Sequence, residues 1–269
     1  MNARWLSLTA VVLILGYFVL HQDNSLALLN REGENDKFQN RPSLMLWAWE
    51  YPCDLQFIDI RKTGVAYLAG TIVLTGNNVL SKPRLQTLKV KGGTFMTAVV
   101  RIETDRRMTA CLSDEQLNQL VSKIIELVEI KPAQAVQIDF DAKQSERSFY
   151  RNLLKALAKR LPSGMPLSIT SLASWCLGDT WIKDLPCDEV VPMFFSMGKD
   201  RQRVLTLLQS KRVVSQLSAS KSFGLCIDEP DVIACLPMPS RHVYLFSEKG
   251  WNSKSAIAWV RTFELRSTH

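Results

Sequence analysis

The chain has 269 residues, 46% of them hydrophobic and 22% charged, with a formal net charge of +7. This balance fits a folded globular protein, and the length suits one α/β barrel of about 250 residues. Lys and Arg are scattered, with no dense basic run interleaved with aromatics, so no nucleic-acid partner is expected.

Arg4 precedes an uncharged apolar run from Trp5 to Leu20, which stops at His21. A basic start followed by a short apolar run is the pattern of an export signal, and Ser25 and Ala27 offer small residues for cleavage. The run is slightly short of the roughly 20 residues of a relaxed membrane span, but an uncleaved anchor stays open. Residues 1–27 are therefore read as a signal peptide or membrane anchor, 28–42 as a polar connector and 43–269 as a TIM-barrel domain. The protein is expected to be exported. It would be either periplasmic or held in the inner membrane through residues 5–20, facing the periplasm.

Eight extended runs follow. They are Leu44 to Glu50, Val65 to Leu74, Thr97 to Glu103, Ala135 to Ala142, Leu167 to Ser174, Glu189 to Met197, Phe223 to Asp228 and His242 to Ser247. A short helix is expected from about Cys53 to Lys62. The connection after the second run contains Gly76, Pro83, Gly92 and Gly93 and suits a hairpin. Ser113-Asp-Glu-Gln116 resembles a capping box, and Leu117, Leu120, Val121, Ile124, Ile125 and Val128 follow at helical spacing. Lys131-Pro132 ends that helix. Further helices are expected from Ser145 to Arg160, from Arg201 to Gln209, and after the last strand through Ile257, Trp259 and Phe263. Strands alternating with connections long enough for helices predict a (β/α)8 TIM-type barrel preceded by the hydrophobic signal or anchor.

The fourth run is the most telling. In a strand, Gln137, Asp139 and Asp141 share one face while Val136, Ile138 and Phe140 share the other. A parallel strand covered by helices should be apolar on both faces. In a barrel, inward side chains at strand C-termini form the floor of the active site. Other polar residues accumulate at the same end: Glu50 after strand one, Arg101 and Glu103 on strand three, Glu229 after strand seven and Glu248 after strand eight. Trp175 and Trp251 stand beside them as candidate sugar platforms, although either could instead cap the core. A carboxylate pair flanking a glycosidic bond needs a separation of about 5–5.5 Å for retention or 6.5–9.5 Å for inversion. Asp141 as acid and Glu229 as nucleophile or base are the favoured pair, with Asp139 orienting Asp141 or holding Arg101. Glu50 is the reserve carboxylate; Arg101, Glu103 and Glu248 complete the binding ring. The competing reading is an inward ion-pair network in which Arg101 neutralises Asp139 or Glu103.

The six cysteines are compatible with export but do not establish disulfides. Cys176 with Cys187, and Cys226 with Cys235, are the first pairs to test; Cys53 and Cys111 could meet only if two loops converge. Several could equally be buried small hydrophobes. No Cys-x-x-Cys or Cys/His pairing is present, and there is neither a P-loop nor a Gly-x-Gly-x-x-Gly, so no metal or other cofactor is expected.

Trp47-Ala-Trp-Glu50, Gln137-Ile-Asp-Phe-Asp-Ala142, Ser145-Glu-Arg-Ser-Phe-Tyr150, Ser168-Ile-Thr-Ser-Leu-Ala-Ser-Trp-Cys176, Pro192-Met-Phe-Phe-Ser-Met-Gly198 and Asp228-Glu-Pro230 together resemble a bacterial domain-of-unknown-function family (number thirty-one forty-two). That family is similar to glycoside-hydrolase TIM barrels, and the resemblance spans Leu44 to Trp251. It implies the barrel and brings no activity with it. A more distant comparison is with the chitinase-type motif Asp-Gly-x-Asp-x-Asp-x-Glu. Overlaying its last two aspartates on Asp139 and Asp141 puts Lys143 where the catalytic Glu would stand, so substrate-assisted chitinase chemistry is not supported. Two function classes stay open: an exported hydrolase acting on an envelope or extracellular polysaccharide, and an inactive barrel that binds a glycan or an envelope protein.

Overall fold

The computed structural model describes residues 37–38, 40–178, 181–182, 184–208, 222–235 and 242–266. The expected signal or anchor, residues 1–27, lies outside them. Among the described residues no helix is long and apolar enough to cross a membrane. The barrel belongs to a compact unit running from Asn40 to His269.

The described strands are β1 (Leu44–Ala48), β2 (Cys53–Asp54), β3 (Thr63–Thr75), β4 (Asn78–Pro83), β5 (Leu88–Lys89), β6 (Met96–Thr104), β7 (Ala135–Asp139), β8 (Leu167–Leu172), β9 (Glu189–Met193), β10 (Ser222–Cys226) and β11 (His242–Phe246). The described helices are α1 (Asp114–Glu129), α2 (Arg147–Arg160), α3 (Ala173–Gly178), α4 (Arg201–Leu208), α5 (Pro230–Cys235) and α6 (Lys254–Arg266). Eight strands run in the parallel order β1-β11-β10-β9-β8-β7-β6-β3, and β1 pairs back onto β3 to close the ring. These are the eight expected runs.

The helices form where local chemistry and tertiary burial agree. Ser113 caps α1 by accepting the Gln116 N–H at 3.2 Å, and Asp114 and Glu115 sit in the first turn, where the helix dipole favours them. Leu120, Val121, Ile124, Leu127 and Val128 then bury one stripe against the sheet. The Gln116 carboxamide does not close the box on Ser113. It accepts from Leu112 N and donates to the carbonyls of Gly76 and Asn78, tying the helix start to the β3–β4 hairpin.

Three expectations need correction. Residues 53–62 are not a helix: β2 pairs with β5, and turns follow. Asp54 and Asp59 each accept the backbone N–H two residues on, at 3.1 Å, and these local turns compete with helical bonding. Among the described residues the first two barrel connections therefore contain no α-helix. Strands five and six also end earlier than expected, β8 passing into α3 at Ala173 and β9 ending at Met193. All six cysteines are free, so neither Cys176 with Cys187 nor Cys226 with Cys235, the pairs to test first, is bonded. Burial pushes the Cys176 thiol up to about 11 and those of Cys187 and Cys226 to about 12, which keeps all three protonated.

The inside of the ring has its own small apolar cluster of Met45, Trp47, Ala66, Val99, Val191 and Tyr244. Gly224 makes room for it, because a Cβ there would come within 2.6 Å of the Trp47 ring. Toward the N-terminal ends of the strands, a polar chain crosses the interior. Trp47 Nε1 donates to Gln137 Oε1 at 2.7 Å, and Gln137 Nε2 donates to the Ser168 hydroxyl at 3.0 Å. Ser168 donates to Glu189 at 2.7 Å, and Tyr244 and Ser222 donate to the same carboxylate. Arg41 pairs with Glu189 at 2.5 Å and also donates to the Tyr244 hydroxyl, with both charged side chains almost fully buried.

Breaking such a buried pair leaves an uncompensated charge, which typically costs about 3–5 kcal/mol. Arg41→Ala should lower the unfolding free energy by roughly that amount. Arg41→Ala combined with Glu189→Gln should recover part of the loss. Urea denaturation of the two variants checks this, and a loss under about 1 kcal/mol for Arg41→Ala would show that Glu189 finds other compensation.

Candidate active site

The inward faces of β6 and β7 carry their last side chains to the barrel mouth. Arg101 and Asp139 are register partners across this pair of strands, and Glu103 lies one inward step beyond Arg101. Together with Asp141 and Lys143 they line an open cleft of about 560 Å³. Arg101 does not neutralise Asp139: it pairs with Glu103 at 2.7 Å. The inward ion pair weighed from sequence therefore forms, and it takes Glu103.

Asp139 accepts one hydrogen bond, from the Thr170 hydroxyl at 2.6 Å. Burial pushes its carboxyl up to about 6; the Thr170 bond and Arg101 pull it down, whereas the neighbouring Asp141 and Glu103 push it up. Asp141 has no hydrogen-bond or ion-pair partner among the described residues, and burial raises it too, against the pull of Arg101. Lys143 stands beside it but is engaged with Thr104 Oγ1 at 3.2 Å and Glu146 at 3.5 Å. Glu146 also accepts the Lys143 N–H at 2.7 Å, fixing the turn that leads into α2.

Glu229 is held elsewhere. It lies just before α5, forms an ion pair with Arg201 and accepts the Ser196 N–H at 2.7 Å. Arg201 bridges onward to Asp231 at 2.6 Å. Glu229 is not among the residues lining the β6–β7 cleft. Glu50 is exposed just after β1. Glu248 is also exposed, and its N–H donates to Asp228 at 2.9 Å.

The two tryptophans expected as platforms are inside the protein. Trp251 is 1% exposed, and its indole N–H donates to the Trp47 carbonyl at 2.8 Å. Trp175 is 6% exposed and meets Trp181 edge-on at 5.0 Å. Neither ring offers a face to a sugar; both seal the core, the alternative the sequence left open. The aromatic surface at the mouth is instead Trp49, Phe195 and Phe246, all partly exposed. Phe195 stacks on Phe246 at 5.4 Å, and Trp49 meets Phe246 edge-on at 6.1 Å. Alternation along β1 and β11 carried this signal for Trp49 and Phe246.

Arg84 was not anticipated either. β3 shifts register between Leu68 and Gly70, and beyond that point β4 replaces β1 as its neighbour. The last carbonyls of β1 are left without a ladder partner. The Arg84 guanidinium fills the gap, donating to the carbonyls of Ala48 at 3.1 Å, Tyr51 at 2.6 Å and Trp49. Arg84 thereby positions the strand end that bears Trp49 and Glu50.

Among solved structures, a candidate chitinase A of Streptomyces coelicolor superposes with a TM-score of 0.54 at 12% identity, covering 86% of this chain and 99% of that one. A family GH18 chitinase of Chromobacterium violaceum gives 0.56 at 11% identity, covering 85% and 84%. The chain shares the TIM-barrel fold of these two proteins. At such identities the likeness is one of fold. No protein-family model and no curated protein matches the chain, so the domain-of-unknown-function resemblance gains no support beyond the barrel.

The raised Asp139 carboxyl has a stability consequence of definite sign. A carboxyl whose folded value exceeds its unfolded one stabilises the fold below about 4, and that contribution disappears as pH rises through about 6. At 1.36 kcal/mol per unit the span is roughly 2–3 kcal/mol. Asp139→Asn keeps an acceptor for Thr170 and removes the buried charge. It should therefore raise stability at pH 7.5 relative to wild type and leave it nearly unchanged at pH 4. Equal shifts in urea midpoint at the two pH values would sink this account.

Proposed function

We propose that this chain is an exported glycoside-hydrolase-like barrel that hydrolyses an envelope or extracellular polysaccharide, with Asp141 as general acid. The observation that carries the reading is the Asp139–Asp141 pair, two carboxyls that line the β6–β7 cleft, both raised above the usual carboxylate range and neither in an ion pair among the described residues. A carboxyl raised above its usual range holds its proton to higher pH and can donate it to the glycosidic oxygen as the C–O bond breaks. Asp139, one inward step deeper and fixed by Thr170, is itself pushed up by the neighbouring Asp141. Glu229 is the partner carboxylate, acting on the sugar carbon as nucleophile or through water as base. Arg201 has to share or release it for that role. The partly exposed rings of Trp49, Phe195 and Phe246 would stack on sugar faces. The chitinases that share the fold lend the reading its substrate class.

A second reading, the inactive glycan-binding barrel, is favoured by the Arg101–Glu103 and Arg201–Glu229 ion pairs and by Lys143 at the position matched to the chitinase acid. Under that reading Asp139 and Asp141 accept hydrogen bonds from sugar hydroxyls.

Reducing-end release by the full chain from a panel of bacterial and plant polysaccharides separates the two. The hydrolase reading expects release that is lost in both Asp141→Asn and Glu229→Gln. Because the acid must hold its proton, release should fall as pH rises through the raised range of the Asp141 carboxyl. Release unaffected by either substitution would keep the enzyme and displace these residues. Binding without release would leave the second reading standing.

A further inference from the structure

The β6–β7 cleft is densely charged: its lining sets four carboxyls, Glu103, Asp105, Asp139 and Asp141, beside an equal number of cationic groups. Four cationic side chains, Arg101, Arg106, Arg107 and Lys143, line it. Arg101 and Lys143 are engaged with Glu103 and Glu146. Arg106 and Arg107 are different: both are exposed, and neither guanidinium makes a hydrogen bond or ion pair among the described residues.

The loop that bears them is pinned. Asp105 accepts the Arg107 N–H at 2.7 Å and the Thr75 hydroxyl at 3.0 Å, and its own N–H donates to the Leu74 carbonyl at 2.9 Å. Farther along, Cys111 N donates to the Gly76 carbonyl at 2.9 Å. The loop is thus fastened at both ends to the β3–β4 hairpin, and it presents its arginines at a fixed stretch of rim. Two open guanidinium forks on the lining of this cleft suit an oxyanion, which a guanidinium can grip with two parallel hydrogen bonds. A neutral sugar offers them nothing comparable.

We infer that the glycan taken by this cleft is anionic, its carboxylate or sulfate groups read by Arg106 and Arg107 at the rim. The inference rests on the glycan reading above and narrows it to a substrate class. The net charge of +7 would draw any polyanion toward the protein, so the test has to separate local recognition from the overall field.

Binding of the full chain to polygalacturonate, dextran sulfate and unmodified dextran would be measured at about 150 mM salt, where exposed charges are screened beyond roughly 8 Å. Wild type would be compared with Arg106→Gln/Arg107→Gln and with Lys155→Gln/Lys159→Gln. The latter pair removes the same charge from α2, outside the cleft. The expected result is binding to one or both polyanions, weakened about tenfold or more by the arginine pair and less than about twofold by the lysine pair. The tighter of the two polyanions tells carboxylate from sulfate recognition. Equal losses in the two double variants, or dextran bound as tightly as the polyanions, would overturn the inference and leave the glycan reading in place. Binding to none of the three, with circular dichroism unchanged, would remove both.

Discussion

The buried Arg41–Glu189 pair is the contact on which the barrel interior depends. Two charges removed from water are costly unless each is compensated at short range, and here the compensation comes from several strands. Glu189 on β9 receives Ser168 of β8, Ser222 of β10 and Tyr244 of β11, and Gln137 of β7 carries the chain on to Trp47 of β1. Each of these strands is thereby held in register from within as well as by its ladder. Arg41 enters from the segment before β1, so chain that precedes the barrel also helps to close it.

That arrangement divides the interior by depth. Near the strand N-termini, polar groups are paired with one another, and above them Met45, Trp47 and Tyr244 fill the middle. At the mouth pairing is incomplete at Asp141, which has no hydrogen-bond or ion-pair partner among the described residues. The mouth is divided sideways as well. Trp49, Phe195 and Phe246 gather over β1, β9 and β11, while the charged groups stand over β6 and β7. A ligand with apolar ring faces and polar edges meets both halves at once.

The fold was legible because its signal is periodic. Runs of β-branched and aromatic residues recur eight times, most of them separated by helical stripes, and the polar face of Gln137, Asp139 and Asp141 marked the inward side of β7. The site was legible in part. Position along a strand tells which end of the barrel a residue occupies, but not whether a salt bridge consumes it. Glu229 and Glu103 both stand at the expected end, and each is taken by an arginine, from α4 and from its own strand. Trp175 and Trp251 show a related gap. A tryptophan after a strand reads the same whether it faces solvent or seals the core, and burial decides it only once the chain has closed. Residues 53–62 failed for a different reason, since Asp54 and Asp59 turn the backbone through side-chain bonds that a hydrophobic period does not record.

The six free thiols carry a consequence of their own. No strand or loop of this barrel is tied by a covalent cross-link, and burial keeps Cys176, Cys187 and Cys226 in the unreactive protonated form. The described fold therefore needs no pairing of cysteines to hold its strands together. The strands are held to one another by non-covalent contacts alone: their ladders, the buried polar chain and packing.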